Sequence, residues 1–284
     1  MNTLIRKPAV AGRFYSGTEA GLKKEIAACF ESPFGPRNYA GHVAAVDKII
    51  YGGVVPHAGY MFSGPVAAWF YQAMKNNIKG HSTFVILGPN HTGRGSYVSL
   101  YPPDGAWETP LGRVKINKNL AEKIGESNLV DIDEDAHIYE HSIEVQLPFL
   151  QYIFPDFDFV PVCLMKQDLD TVLELGGFLG KTAVSWGQKI VFIASSDFSH
   201  YVPPKTAKKN DSLAISAIEN LDVSLMMKNI QRYNISMCGY GPVGTVISAV
   251  KALGSVNGEL LHYGHSGDIQ PMDDVVGYAS IVFT

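Results

Sequence analysis

Short strand-like segments alternate with longer helical segments along this chain, and that alternation constrains its fold more than any other feature. Most of the short segments are apolar and rich in β-branched residues. They predict strands over 48–55, 82–87, 157–164, 189–194, 259–263 and 275–283. Apolar residues at helical spacing predict helices over 65–76, 117–127, 142–154, 169–186, 205–219, 222–231 and 242–253. Because continuously apolar strands are typical of strands buried on both faces, we predict an α/β sandwich, with a central mostly parallel or mixed sheet flanked by helices.

The chain shows no internal repeat and no low-complexity linker. Its 284 residues are compatible with one or two domains. The Pro- and Gly-rich stretch 32–41 is short and is interpreted as a loop between an N-terminal helix and the first core strand. We therefore predict a single domain over residues 1–284.

Charge and hydropathy exclude several classes of function. Lys and Arg number 23 and Asp and Glu number 27, so the net charge is −4 and offers no basic surplus for binding nucleic acid. No apolar run approaches the roughly 20 residues of a membrane span. Arg6 and Lys7 are followed by no apolar segment of the kind a signal peptide needs. We expect a cytoplasmic protein without membrane contact, whose three cysteines are thiols rather than disulfides.

Histidines follow three predicted strands directly. His57 follows the strand 48–55, His91 follows 82–87, and His200 follows 189–194, where it shares a polar loop with Asp197. In α/β sheets, ligands bind where loops leave the carboxyl ends of strands. A single histidine at such a position is often structural, but three after separate strands favour a common site.

Cys238 lies just before a predicted helix that Pro242 begins. The positive end of the helix dipole favours a thiolate there, although a buried loop thiol is an equally good interpretation. Cys29 and Cys163 lie in apolar segments and are expected in the core. Two histidines and one cysteine could form a three-ligand site for zinc, iron or copper, but not for magnesium or calcium.

The acidic segment 131–144 contains a second group of possible ligands. His137, His141 and Glu144 would share one face of a continuous helix and could bind a second metal ion. The simpler interpretation is that the acids stabilise a helix N-terminus in solvent. His262 and His265, which flank a late strand and turn, could line the same cleft but are more simply interpreted as turn residues.

Two patterns are misleading. The segment 239–244 matches G-x-G-x-x-G, but the mostly polar residues 231–236 before it do not resemble the buried strand of a dinucleotide site. The residue types of a serine-hydrolase triad occur within 195–200, but without a G-x-S-x-G turn. We therefore favour neither activity.

Six motifs follow one another along the chain: RKPAVAGRFY at 6–15, PHAGY at 56–60, LGPNH at 87–91, EHSIE at 140–144, SSDFSH at 195–200 and MCG at 237–239. With these motifs in this order, the chain resembles the Memo family, called protein B of the AmmeMemoRadiSam system in prokaryotes. The resemblance covers nearly the whole chain. This family is similar in fold to the class III extradiol (LigB-like) dioxygenases. The resemblance also implies a radical-SAM system partner.

The resemblance implies a role for each candidate residue. His57, His91 and Cys238 would occupy the metal-ligand positions, where those dioxygenases hold non-haem Fe(II) with two histidines and a carboxylate. In the catalytic positions, His200 would be the acid/base histidine, Asp197 would support the cleft, and His141 would line it. The cysteine in place of the carboxylate changes the charge and redox potential of a bound metal, so ring cleavage does not follow from the likeness.

Three functions remain open at this point. The first is a mononuclear redox protein, with Fe(II) as the favoured metal and copper as an alternative. The second is a non-catalytic module that binds a peptide or small molecule in the cleft. Tyr15, Tyr60, Phe198 and Tyr201 could line such a groove, but they are more simply interpreted as packing residues. The third is a zinc-dependent hydrolase that uses the open fourth position of the metal.

Overall fold

Strands and helices alternate along the protein in a computed structural model that describes residues 4–37 and 48–284. The strands are β1 (Ile5–Arg6), β2 (Gly52–Val55), β3 (Ser82–Pro89), β4 (Val98–Leu100), β5 (Ala106–Thr109), β6 (Gly112–Lys115), β7 (Asp131–Ile132), β8 (Phe157–Leu164), β9 (Ile190–Ser195), β10 (His200–Val202), β11 (Gly258–His265) and β12 (Val275–Phe283). The helices are α1 (Glu19–Glu31), α2 (Tyr60–Asn77), α3 (Lys118–Ile124), α4 (Asp135–Ile138), α5 (Leu147–Ile153), α6 (Leu169–Trp186), α7 (Pro204–Glu219), α8 (Val223–Tyr233), α9 (Tyr240–Ala252) and α10 (Ser266–Ile269). A short 3-10 turn, Glu144–Gln146, precedes α5.

Within the described ranges, nine strands form one mixed sheet, in the order β10-β12-β2-β9-β3-β8-β4-β7 with β11 paired to β12. The four central strands β2, β9, β3 and β8 are parallel. Antiparallel pairs, β12 with β2 and β4 with β8, flank them on the two sides. The predicted mixed sheet is confirmed, and its parallel centre aligns the carboxyl ends of four strands at one edge.

Helices cover both faces of this sheet. The connection from β2 through α2 to β3 runs across the sheet in one direction, and the connection from β8 through α6 to β9 runs back. Because parallel crossovers are right-handed, opposite directions place α2 and α6 on opposite faces. Helices α1 and α5 pack against α2, and α9 packs against α6. None of the helices in the described ranges combines the length and the apolar character needed to cross a bilayer.

The long elements agree closely with their predicted positions. Strand β8, strand β12 and helix α6 have the predicted bounds. Helix α6 begins after Asp168, whose side chain accepts a hydrogen bond from the Thr171 N–H, and ends at Gly187, which has a positive φ of 75°. Helix α2 begins five residues before the predicted start, so Pro65 lies inside it rather than at its first position.

Short elements account for most of the differences. The predicted strand 48–55 is shorter in the structure, where β2 covers Gly52–Val55. The predicted helix 142–154 is a 3-10 turn followed by α5, where Pro148 lies in the first turn. Strands β1, β5 and β6 form a separate three-stranded sheet that was not predicted. Part of the predicted loop 32–41 lies outside the described residues.

Candidate metal centre

The loops after three parallel strands meet at one edge of the sheet. Val55 at the end of β2 is the pairing partner of Ser195 at the end of β9, and His57 follows two residues after Val55. His91 follows two residues after the end of β3. The backbone N–H of His57 donates to Oδ1 of Asp197 at 2.7 Å, which joins the loops after β2 and β9. The topology therefore brings His57 and His91 to the same edge of the sheet.

The donor atoms of His57, His91 and Cys238 all lie within 4.8 Å of one another. The Cys238 Sγ lies 3.2 Å from Nε2 of His57, and the rings of His57 and His91 are 5.2 Å apart between centroids. His57 is buried, Cys238 is half-buried, and the side chain of His91 is 34% exposed. Two imidazoles and a thiol suit zinc, iron or copper, so this group fits the kind of metal that the sequence indicated.

The position of Cys238 depends on a close approach between two loops. A Cβ on Gly239 would lie 2.4 Å from the Ser195 carbonyl oxygen, so only glycine lets this turn pass so near the end of β9. Gln167, in the loop after β8, holds the same turn from the other side. Its Nε2 donates to the Cys238 carbonyl at 3.1 Å, and its Oε1 accepts from the Gly241 N–H at 2.7 Å.

Burial raises the pKa of the Cys238 thiol far above its usual value, and the negative charge of Asp197 raises it further. The expected effect of the α9 dipole is therefore outweighed, and without a cation the side chain is a neutral thiol. Its Sγ lies 3.2 Å from Nε2 of His57 and 3.6 Å from the Asp197 carbonyl oxygen, and either atom can accept the S–H. A bound cation deprotonates a coordinating thiol, so this environment suits a metal ligand better than a free thiolate nucleophile.

The hydrogen bonds around His57 assign its tautomer. Ser195 Oγ donates its one proton to the Ser142 carbonyl at 2.6 Å and accepts from Nε2 of Gln146 at 2.8 Å. Nδ1 of His57 lies 2.9 Å from the same Oγ and must therefore be the donor. Nε2 of His57 is left with its lone pair on the side of Cys238. Burial, followed by the nearby His141 and His91, holds the pKa of His57 well below its usual value, which keeps the ring neutral.

His91 has a different partner, the carboxylate of Glu140. Nδ1 of His91 lies 3.0 Å from Oε1 of Glu140, and the His91 backbone N–H donates to Oε2 at 2.5 Å. Burial alone would lower the pKa of His91, but the hydrogen bond and charge of Glu140 outweigh it and raise that pKa. Burial likewise opposes ionisation of Glu140, yet its bonds to His91 and the nearby histidines hold its pKa at about 2. Glu140 is therefore ionised, and it orients His91 through Nδ1.

His200 is held at the rim of the same cleft. Its Nδ1 lies 2.8 Å from the Ser236 carbonyl oxygen, which can only accept, so Nδ1 carries the proton and Nε2 is left free. Its backbone N–H donates to Ser236 Oγ at 2.7 Å. Burial raises the pKa of Asp197 to about 6, against the hydrogen bond from the His57 N–H and the charge of His200. Asp197 thus anchors the His57 loop between the metal-ligand candidates and His200.

His141 lines the cleft beside the candidate ligands. Its ring stacks on His91 at 4.8 Å between centroids and at an angle of 24°, and Phe14 packs against its other side, also at 4.8 Å. Burial lowers the pKa of His141 to about 4, so the ring is neutral near pH 7. The N-terminal segment that carries Phe14 therefore forms one wall of the site.

The acidic segment 131–144 does not form the helical ligand set that the sequence allowed. Helix α4 ends at Ile138 and the 3-10 turn begins at Glu144, so the chain is not one continuous helix there. His137 is buried, with Nε2 3.2 Å from the Ser99 carbonyl oxygen. Glu144 is buried in an ion pair with Arg6. His91, Glu140 and His141 lie close enough to hold an ion instead, but the Glu140 oxygens already accept hydrogen bonds from this same segment and from His91.

The groups that orient the candidate ligands could not be singled out from the sequence. The sequence indicates no separate role for Glu140, which the structure buries at 1% exposure. Gln146, Gln167 and Ser236 carried no signal, because ordinary polar residues acquire these roles only through contacts distant in sequence. The late histidines lie within β11 rather than in a turn. His262 stacks on Trp69 at 5.2 Å, and the backbone N–H of His265, the last residue of β11, donates to Asp268.

Comparisons with known proteins agree with this architecture. Residues 6–282 match the family model described as "Memo-like protein". A MEMO1 family protein of Methanopyrus kandleri is 46% identical over 284 residues, which is 98% of each chain. A MEMO1 family protein of Methanosarcina barkeri is 45% identical over 280 residues, 98% of this chain and 99% of the relative.

Among solved structures, an uncharacterized protein of Escherichia coli K12 superposes with a TM-score of 0.51 at 13% identity. The match covers 75% of this chain and 91% of that one, and it supports the fold alone. The family rests instead on the sequence matches, which extend over almost the whole length and include every residue of the candidate metal centre. The chain belongs to the Memo family.

Proposed function

We propose that this protein is a mononuclear metal-dependent redox protein, with Fe(II) or copper held by His57, His91 and Cys238. One observation carries the proposal: three donor atoms from three separate loops lie within 4.8 Å of one another. The assigned tautomers support it. In each histidine the proton is on Nδ1, so the lone pair of Nε2 is free to bind a metal ion. A bound iron or copper ion would supply one-electron chemistry that no side chain of this site provides.

The residues around the ligands have roles of their own in this proposal. His200, with Nδ1 committed to the Ser236 carbonyl, can accept or donate a proton at Nε2. Asp197 fixes the His57 loop through its backbone N–H. His141 and Phe14 present an uncharged aromatic wall on which a substrate can lie. These groups bind, orient and exchange protons, and none of them needs to act as a nucleophile.

Metal content after anaerobic, tag-free purification tests the proposal. We expect near-stoichiometric iron or copper in the wild type, and loss of that metal in His57→Ala and Cys238→Ser. Cys29→Ala is the matched control, because it removes a buried thiol whose Sγ lies 3.8 Å from the Tyr60 carbonyl oxygen and outside the metal-ligand group. Unchanged metal content in both site variants would overturn the proposal. Zinc as the sole metal, with hydrolytic turnover that requires it, would favour the zinc hydrolase instead.

A ligand-binding module without catalysis is the second candidate. An open groove lined by Arg13, Phe14, Tyr15, Met61 and Phe62 lies beside the metal centre, and Met61 is 64% exposed. Because Phe14 also contacts His141, a peptide or small molecule in this groove would reach the edge of the site. Binding that persists after chelation and in His57→Ala would favour this function over the redox protein.

A further inference from the structure

Glu140 is the most heavily hydrogen-bonded group of the site. Its carboxylate accepts from four donors: His91 Nδ1 at 3.0 Å, the His91 N–H at 2.5 Å, and the N–H groups of His141 and Ser142 at 2.8 Å each. It is 1% exposed. Both oxygens are engaged, so the carboxylate has little capacity left to bind a metal ion directly. Its geometry is that of an orienting group.

We propose that Glu140 is the positioning residue of the metal centre: it locks His91 in the tautomer with the proton on Nδ1, and so reserves Nε2 for the metal. This inference rests on the proposed function. A carboxylate that accepts from the far nitrogen of a metal-bound histidine fixes the ring and increases the basicity of the ligating nitrogen. Glu140 is itself fixed by its own segment, since Arg6 donates to the Glu140 carbonyl at 2.6 Å.

The two histidine ligands are therefore not equivalent. His91 donates to a carboxylate, whereas His57 donates to the neutral Ser195 hydroxyl at 2.9 Å. Hydrogen bonds to charged acceptors are roughly twice as strong as neutral ones. The orientation of His91 and its electron donation to a metal thus depend on the charge of the Glu140 carboxylate. Substitution of Glu140 should therefore change both.

A glutamine cannot reproduce this arrangement. If its oxygen replaces Oε1, its NH₂ faces the backbone N–H of His91. If the amide is reversed, the NH₂ faces His91 Nδ1 and the N–H groups of His141 and Ser142. Either orientation sets donors against donors, so Glu140→Gln should release His91 to populate the tautomer with the proton on Nε2.

The first test uses metal-free protein labelled with ¹⁵N-histidine. The ring nitrogen shifts report the tautomer of His91, assigned by comparison with His91→Ala. We expect the Nδ1–H tautomer in the wild type and a mixture in Glu140→Gln. A wild-type His91 in the Nε2–H tautomer would overturn the inference, and this result needs no variant to fold.

The second test is a titration with Co²⁺ alone, followed by its ligand-field absorption. We expect Glu140→Gln to lose roughly 10–100-fold in Co²⁺ affinity. Asp211→Asn is the matched control, because Asp211 is also a fully buried carboxylate but accepts from Ser199 and Tyr263 rather than from a histidine ring. It should bind Co²⁺ as the wild type does.

The outcomes separate this inference from the function on which it rests. Equal Co²⁺ affinity in Glu140→Gln and the wild type would overturn the role of Glu140 and leave the metal centre standing. Failure of the wild type to bind Co²⁺ would overturn the metal centre and this role with it. If Asp211→Asn bound Co²⁺ as weakly as Glu140→Gln does, the loss would come from removing any buried carboxylate. That result would also count against the inference.

Discussion

At the scale of single residues, Asp211 is a buried carboxyl group that supports the loop of His200. It accepts from the Ser199 N–H at 3.0 Å, from Ser199 Oγ at 2.5 Å and from the Tyr263 hydroxyl at 2.8 Å. Burial raises its pKa, although these hydrogen bonds and the charge of His200 oppose the rise. Because asparagine can accept from Ser199 while Tyr263 rotates its hydroxyl to accept, Asp211→Asn should preserve the loop.

This substitution has a predictable dependence on pH. An acid whose pKa is higher in the folded protein holds more protons when folded, so its contribution to stability is lost as pH rises from the ordinary aspartate range through the raised value. Asp211→Asn has no carboxyl group at this position, so it does not lose this stability as pH rises. We expect its free energy of unfolding, relative to the wild type, to increase with pH over this window in urea titrations. Parallel pH profiles for the two proteins would contradict the prediction.

Strand patterns in the sequence predict that candidate histidines lie near one another, whereas the choice of His57, His91 and Cys238 as the ligands comes from the family resemblance. His57 and His91 follow buried strands, and parallel strands bring such positions together. The orienting partners could not be predicted in the same way. Ser195 accepts from His57 only because its own proton goes to Ser142, 53 residues away, and no local pattern encodes that choice.

At the scale of elements, the turn before α9 places Cys238 through one glycine. In Gly239→Ala, the new Cβ would meet the Ser195 carbonyl oxygen at 2.4 Å and the Ser196 Cβ at 2.6 Å. The turn must move away from β9 and carry Cys238 with it. We expect Gly239→Ala to lose metal binding, measured by metal content, while its far-ultraviolet circular dichroism stays like that of the wild type.

Gly177→Ala provides the control for this prediction. Gly177 lies within α6, where an added Cβ would meet no atom within 4 Å. Alanine is favoured over glycine in a helix by about 1 kcal/mol, so this variant should be slightly more stable and should keep its metal. If Gly239→Ala retained metal as Gly177→Ala does, the close approach of the two loops would not be what places Cys238.

The elements also show which parts of the fold cannot be predicted from sequence patterns. Helix α6 has its predicted bounds, and in the structure Asp168 caps its first turn and Gly187 ends it. Strands β1, β4 and β7 have two or three residues each and exist through their pairing partners. The predicted helix 142–154 is divided at the 3-10 turn, where Glu144 is drawn into contacts with the N-terminal segment.

That N-terminal segment is attached by a buried ion pair. Arg6 is 3% exposed, Glu144 is fully buried, and the two side chains form an ion pair. Glu144 also accepts hydrogen bonds from the Ala9 N–H at 2.8 Å and from the Tyr15 hydroxyl at 2.5 Å. Arg6→Ala would leave Glu144 as a buried charge without a cation. Breaking one partner of such a pair costs about 3–5 kcal/mol, and we expect that loss in urea-induced unfolding.

Lys23→Ala is the comparison for Arg6→Ala. Lys23 pairs with Glu19 one turn apart on α1, and both side chains are more than half exposed. An exposed pair of this kind contributes about 0.3–0.5 kcal/mol. A loss in Arg6→Ala as small as that in Lys23→Ala would show that Glu144 does not need Arg6, and that the wall carrying Phe14 is held by other contacts.

At the scale of the whole molecule, the candidate metal centre joins parts of the chain that are far apart in sequence. His57 and Cys238 are separated by 181 residues, and their donor atoms lie 3.2 Å apart. The unfolded chain cannot hold these donors together, so a metal that binds the folded site should bind the unfolded chain far more weakly. Metal binding should therefore stabilise the entire fold rather than one loop.

The size of this stabilisation follows from mass action. At a free metal concentration 100 times the dissociation constant, we expect the free energy of unfolding to rise by about 2.7 kcal/mol and the melting temperature to rise with it. Calorimetry of metal-free protein with added Co²⁺ measures both. Cys238→Ser should show a much smaller rise at the same concentration. The three donors lie in the loops after β2 and β3 and in the turn before α9. An equally large rise in Cys238→Ser would therefore mean that the ion stabilises the protein elsewhere, and that these three segments meet for a reason other than a metal.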